Sequence, residues 1–160
     1  MTKSGPINVL LVDNHPVVLD GLRAILQTYA HLNVAGTAAD AQAGLEMAAA
    51  LHPDVVLLDI NMPKINGIEA ISLFKSALPA CGVIMLSMHD DKEYISSSVL
   101  RGASGYILKD VSTDEIAAAV EAVAKGGTYF SSGVADAILE TARVDEAEPL
   151  TTRERDVLRE

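Results

Sequence analysis

Four short apolar runs in this chain end on polar side chains that can do chemistry. Val55-Val56-Leu57-Leu58 runs into Asp59, and the loop Ile60-Asn61-Met62-Pro63-Lys64-Ile65-Asn66-Gly67 follows. Asp13-Asn14 comes after INVLLV, Ser87 after Val83 to Leu86, and Lys109 after Gly105 to Leu108. If these runs are strands of one parallel sheet, their carboxyl ends meet along the edge where ligands of open α/β sheets bind. The chemistry that wants this set is phosphoryl transfer to a carboxylate. Asp59 is the candidate nucleophile. Oxygens of Asp13 and Asp59 suit Mg²⁺, which prefers hard oxygen ligands and keeps several waters. Such an ion bridges the carboxylate and the incoming phosphoryl group and offsets its charge. Lys109 offers a flexible positive charge and Ser87 a hydrogen bond. Taken singly, each residue has a plainer explanation. Asp13 or Asn14 caps a helix, Ser87 sits in a turn, and Lys109 is solvated. Their joint occurrence at four strand ends is what argues for chemistry.

The elements that must position these residues alternate along the chain. Ile7 to Val12 reads as the first strand, and Pro16 to Tyr29 as a helix with Val18, Leu22, Ile25 and Leu26 at helical spacing. Asn33 to Ala38 is a second strand, and Asp40 caps a helix running to about Leu51. Val55 to Leu58 is a third strand, with the near-continuous branched aliphatics of a strand buried on both faces. Gly67 to Leu78 is the third helix and Val83 to Leu86 the fourth strand. Asp90 and Glu93 have capping-box spacing for a fourth helix ending near Arg101-Gly102. Gly105 to Leu108 is a fifth strand. Ser112 and Glu115 open a fifth helix that runs to Lys125, before Gly126-Gly127 stops it. Five such units predict a doubly wound parallel α/β sheet with right-handed crossovers, whose strand order periodicity alone leaves open.

Beyond Gly127 the character changes. Ser131 to Ala142 has the pattern of one more helix, and RVDEAEP (143–149) reads as a polar linker. Thr151 and Glu154 then repeat the capping-box spacing, so LTTRERDVL begins a helix. It stops after barely two turns, too short to be stable alone, and reads as the first piece of a truncated domain.

Composition narrows the function. The chain has 160 residues, 49% of them apolar, and only 4% aromatic. A sizeable core of Val, Ile, Leu and Ala is therefore expected, and disorder is not. The net charge of −10 makes these residues alone a poor DNA binder, while leaving them attractive to a divalent cation or a basic partner. Cys81 is the single cysteine, which excludes an intrachain disulfide and a cysteine metal cluster, and it reads as a small buried hydrophobe. No run is long enough to span a membrane and none resembles a signal peptide, so a cytoplasmic location is expected. The histidines His15, His31, His52 and His89 are scattered, without metal-ligand spacing among themselves. His15 falls at the start of the first helix. His89, close to Ser87, either edges the site or is solvated.

Together VLLVDNHPVV, VVLLDINMPKINGIEA, VIMLSMHDD and ASGYILKD resemble the receiver domain of bacterial two-component response regulators, over about Ile7 to Lys125. The linker helix and LTTRERDVL resemble the NarL/FixJ branch, in which a receiver precedes a LuxR-type helix-turn-helix domain. The resemblance implies a flavodoxin-like (βα)5 fold with strand order 2-1-3-4-5. It implies a receiver over 6–127, a linker with a helix over 128–149, and the opening of the helix-turn-helix domain over 150–160. Asp59 matches the phospho-acceptor. Asp13 matches the first of the acidic pair serving Mg²⁺ or Mn²⁺, and Asn61 the position whose backbone carbonyl is a metal ligand. Ser87 matches the mobile hydroxyl residue, Lys109 the phosphoryl-binding lysine, and Tyr106 the switch aromatic. Two positions depart from the family pattern. Asn14 stands where a second carboxylate is usual, which implies weakened metal binding, and Asp110 stands where a proline often follows the lysine.

The resemblance further implies a sensor histidine kinase as phosphodonor. A homodimer would form on phosphorylation, and DNA would be reached only through the C-terminal domain. A phosphorylation-independent receiver-like binding module is the main competing reading, with Asn14 its only support. An aspartyl-phosphate phosphatase is a third, disfavoured because Asn61 stands where such enzymes carry a second aspartate.

Overall fold

The computed structural model describes residues 6–60, 67–87, 92–108 and 112–130. Within them the order is β1 (Ile7–Val12), α1 (Pro16–Leu26), β2 (Leu32–Ala38), α2 (Ala41–Leu51), β3 (Val55–Asp59), α3 (Gly67–Ala77), β4 (Gly82–Ser87), α4 (Lys92–Leu100), β5 (Gly105–Leu108), α5 (Thr113–Ala124) and β6 (Tyr129–Phe130). All pairings are parallel, and the sheet order is β2-β1-β3-β4-β5-β6. The flavodoxin-like order implied by the resemblance is the observed one, extended by a sixth strand.

The strand pleat sorts the core into two layers. Leu10, Val12, Val56, Leu58, Val83, Met85 and Tyr106 pack on one face with Ile68, Ile71 and Phe74 of α3 and Ile95 of α4. Val9, Leu11, Val55, Leu57, Ile84, Leu86 and Ile107 pack on the other with Leu19 and Leu26 of α1 and Ile116, Val120 and Val123 of α5. Alternation with period two thus decides which helix each strand residue meets. β3 and β4 are buried along their whole length, as strands covered on both faces must be.

Local chemistry ends the elements. Asp40 caps α2, its side chain accepting from the Ala43 N–H at 2.8 Å, and Ser112 caps α5 by accepting from Glu115 N–H at 3.2 Å. α2 stops at His52, which takes a left-handed φ of 49° ahead of Pro53. α4 stops at Gly102 (φ 107°), with Ala103 N–H donating to the Ser98 carbonyl at 3.0 Å across the turn.

Two expectations differ from the structure, and one alternative reading does not hold. α1 ends at Leu26 rather than Tyr29, because Thr28 and Tyr29 fold into a tighter turn donating to Ile25 and Leu26 at 3.1 Å. The first helix is capped by neither Asp13 nor Asn14. Its N-cap is His15, with Pro16 preset in the first turn. β6 lies past residue 127, in a stretch read as linker. Two residues carry too little pattern to read as a strand, yet Tyr129 N–H donates to the Ser104 carbonyl at 3.0 Å and holds them beside β5. The expected helix over 131–142, the linker, the LTTRERDVL segment and Asp90 lie outside the described residues.

β6 can approach because Gly105 has no side chain. A Cβ there would stand 2.8 Å from the Tyr129 backbone oxygen, and backbone cannot yield as a flexible side chain can. Gly105→Ala is therefore expected to cost about 1–3 kcal/mol in urea unfolding. It should also remove hydrogen-exchange protection at Tyr129 before that of β3.

Candidate functional site

β1 lies between β2 and β3, so the sheet reverses its winding there and leaves a crevice at the carboxyl ends of β1 and β3. Val12 pairs with Leu58, and one step further the chain presents Asp13 on one strand and Asp59 on the next. Both are inside the protein, Asp13 at 2% and Asp59 at 1% exposure. The pleat puts Asp59 on the same side as Leu57, and the backbone of Asp13 is pinned by its N–H donating to Ala38 at 3.0 Å.

His15 closes the crevice. Its backbone N–H donates to Asp13 Oδ1 at 2.9 Å, and its Nδ1 lies 2.7 Å from the same oxygen. That Nδ1 is also 3.9 Å from Asp59 Oδ2. One donor atom each from Asp13, His15 and Asp59 therefore falls within 4.8 Å of the others, a set able to hold a metal ion. Two carboxylate charges at such a separation repel by roughly 3 kcal/mol at an effective dielectric near 20. Removing them from water raises that burden, and a cation between them relieves it. Asn14, beside Asp13, is exposed.

On the other side of Asp59 stands β4. Asp59 pairs with Leu86, so Ser87 lies one residue beyond it, at 1% exposure. Met85 pairs with Tyr106 and Ser87 with Leu108, which makes Ser87 and Tyr106 diagonal neighbours on one face of the sheet. Tyr106 is fully buried in the core layer shared with Met85 and Ile95. The structure thus brings together Asp13 and Asp59 at the sheet edge, with Ser87 beside them at the end of β4 and Tyr106 diagonal to Ser87 in the core.

The comparison with known families is direct. Residues 9–121 match the response regulator receiver domain. The chain is 62% identical over 158 residues to the transcriptional regulatory protein MctR of Rhizobium johnstonii, covering 99% of this chain and 74% of that protein. It is 30% identical to the nitrate/nitrite response regulator protein NarL of Escherichia coli, covering 99% of this chain and 76% of that one. Among solved structures, a LuxR-family two-component response regulator from Aurantimonas sp. SI85-9A1 superposes with a TM-score of 0.81. That match has 29% identity and covers 87% of this chain and 99% of the other.

The chain belongs to the response regulator receiver family.

As a receiver of the NarL/LuxR group it carries its buried carboxylates where the sequence places them. Asn61, His89 and Lys109 lie outside the described residues. One member of the cluster was not legible. His15 has no ligand spacing to another histidine, and its contact with Asp13 arises only because the helix begins at Pro16 and the imidazole folds back. The available signal was its position two residues past Asp13, ahead of a proline.

Cys81 is far from this chemistry. It sits just ahead of β4, at the amino-terminal edge of the sheet, beside a shallow cleft of about 240 Å³ lined by residues including His52, Pro53 and Pro79. Burial pushes its thiol up to about 11, opposed by the nearby Lys75 charge. The small buried hydrophobe expected from the sequence is what the receiver contains. Native protein should resist iodoacetamide at pH 8 and react fully once unfolded, as read by mass spectrometry. Because the folded thiol ionises later than the unfolded one, its contribution to stability holds below pH 9 and is lost as pH rises toward about 11. The urea midpoint should fall across that window, and less steeply in Cys81→Ala.

Proposed function

We propose that this receiver accepts a phosphoryl group on Asp59 from a partner histidine kinase and so regulates transcription. The observation that carries the reading is the pair of buried carboxylates, Asp13 and Asp59, held side by side at the switch point of the sheet. An Asp59 oxygen attacks phosphorus, the bond from phosphorus to the donor imidazole nitrogen breaks, and an acyl phosphate forms as the imidazole leaves and takes up a proton. Asp13, Asp59, Asn14 through its amide oxygen and the Asn61 backbone carbonyl would hold Mg²⁺ or Mn²⁺. That ion supplies charge neutralisation as the phosphoryl group transfers. The donor set of two inward carboxylates fits a divalent cation.

Ser87 and Lys109 then take phosphoryl oxygens by hydrogen bond and by charge. The acyl phosphate adds about 1.5–2 negative charges to an edge that is already anionic, which gives both groups a reason to move inward. Movement of Ser87 vacates space diagonal to Tyr106, and the ring reorients with the α4–β5–α5 surface. That repacking would favour a homodimer and act on DNA through a helix-turn-helix domain opening at 150–160, with the receiver over 6–127 and the linker over 128–149. The kinship with MctR, a transcriptional regulatory protein, supports this output. Among the described residues no helix is long and apolar enough to cross a membrane, and the proposal sets the chain in the cytoplasm. The chain is a signalling acceptor in this reading and turns over no substrate of its own.

Incubation with acetyl phosphate and Mg²⁺ should give one phosphoryl adduct by intact mass, absent without metal and absent in Asp59→Asn. Size-exclusion chromatography of the phosphorylated chain should shift toward a dimer. No adduct even with a cognate kinase would leave a binding module that switches without phosphorylation.

A further inference from the structure

The crevice holds a nitrogen donor beside its two carboxylates. We propose that His15 is a direct ligand of the bound cation, taking the place of the second carboxylate that Asn14 lacks, and that the site consequently prefers a first-row transition ion to Mg²⁺. The inference rests on the reading that Asp13 and Asp59 hold a cation.

Three observations support it. His15 Nδ1 is 2.7 Å from Asp13 Oδ1 and 3.9 Å from Asp59 Oδ2. Neighbouring donors on an ion with bonds of about 2.1 Å stand roughly 3 Å apart, and opposite ones about 4 Å, so the three atoms lie near a ligand shell with little rearrangement. Second, the His15 backbone is fixed, as the N-cap of α1 and by its N–H donating to Asp13 at 2.9 Å. The ring needs only a side-chain rotation, and its half-exposed position leaves room for one. Third, Asn14 faces solvent, so the residue that would have carried the second carboxylate is not the one folded over the crevice.

The selectivity follows from ligand chemistry. Mg²⁺ dehydrates reluctantly and is served by oxygen. Imidazole is a borderline base that suits divalent transition ions, whose affinity for nitrogen-containing sites rises from Mn²⁺ onward. One nitrogen among oxygens therefore changes the ratio of affinities rather than the affinity for every cation.

The test is metal binding without phosphorylation. Mn²⁺ binding to the whole chain is followed by loss of the free-ion electron paramagnetic resonance signal, and Mg²⁺ binding by competition. His15→Ala removes the nitrogen; His15→Asn keeps a good helix cap and substitutes an oxygen donor. Both variants are expected to lower the Mn²⁺-over-Mg²⁺ preference by about tenfold, chiefly through lost Mn²⁺ affinity. The visible spectrum of bound Co²⁺ should shift in each. Equal affinities in wild type and both variants, with Mn²⁺ binding still abolished by Asp59→Asn, would overturn the role of His15 and leave the metal site standing. Failure of the wild-type chain to bind either ion would overturn both.

Discussion

The fixed register of β1 against β3 is the constraint on which the site depends. Val9 to Val12 pair one for one with Val55 to Leu58, and every one of these side chains is buried. A one-residue slip would turn each of them to the opposite core layer, so the register is set by two hydrophobic faces at once. With the register set, the next residues along the two strands must be neighbours, and both are aspartates. Hydrophobic packing thus places two like charges side by side. Each deeply buried aliphatic side chain contributes about 1.5–3 kcal/mol, and eight of them line this pair of strands. That comfortably exceeds the repulsion of two carboxylates.

The remainder of the sheet edge is less tightly held, and this is where a signal can travel. β4 is as buried as β3, but the helix that follows it is not. α4 reads KEYISSSVL, with three serines in nine residues and a weak apolar face. Among its described side chains Ile95 is the one large one fully buried, and Ser98 turns its hydroxyl back onto the Tyr94 carbonyl at 2.7 Å. Such back-bonding slightly weakens a helix. Tyr94, Val99 and Leu100 are exposed, the last at 86%. A helix with one anchor in the core is drawn from the low-stability end of the structure, where local rearrangement is cheap. Tyr106 packs in the same layer as Ile95, so any change in the tyrosine reaches this helix first. On the far side α5 is tied down by its buried Ile116, Val120 and Val123. Its outer surface is bridged to the α1–β2 turn by His31 to Glu121 at 2.6 Å and by Tyr29 to Asp114. The two flanks therefore differ in stiffness for reasons present in their side chains.

Much of this was readable from the amino-acid sequence, for an identifiable reason. Strands covered on both faces leave runs such as VVLL, and side-chain oxygens at Asp40 and Ser112 announce the helices after them, so bounds agreed to within a residue or two for most elements. The strand order needed the resemblance, because periodicity records which face a residue occupies and says nothing of which strand lies next to which. β6 escaped because its stability comes from a neighbour, the bare backbone at Gly105, and two residues have no period. The end of α1 was overrun because Thr28 and Tyr29 make i→i+3 bonds that a 3.6-residue pattern does not separate from helix. The site divided along the same line. Asp13 and Asp59 were found as strand-end residues. The engagement of His15 with both depends on a helix start and a side-chain rotation, neither of which leaves a mark in spacing.

A buried anionic pair at the ends of β1 and β3 sets the electrostatics of this edge. His15 engages Asp13 twice, by its backbone N–H at 2.9 Å and by Nδ1 at 2.7 Å, while its ring stays half exposed. The contact is one that a cation can replace without unfolding anything, since the helix cap is made by backbone and Pro16 rather than by the imidazole. Binding at the edge is then an exchange of partners around charges already in place. A cation drawn to the carboxylates at the ends of β1 and β3 would shift an equilibrium only by its differential affinity for the two states. The stiff strands fix the position of the two carboxylates, and the weakly anchored α4 is the flank that costs least to move.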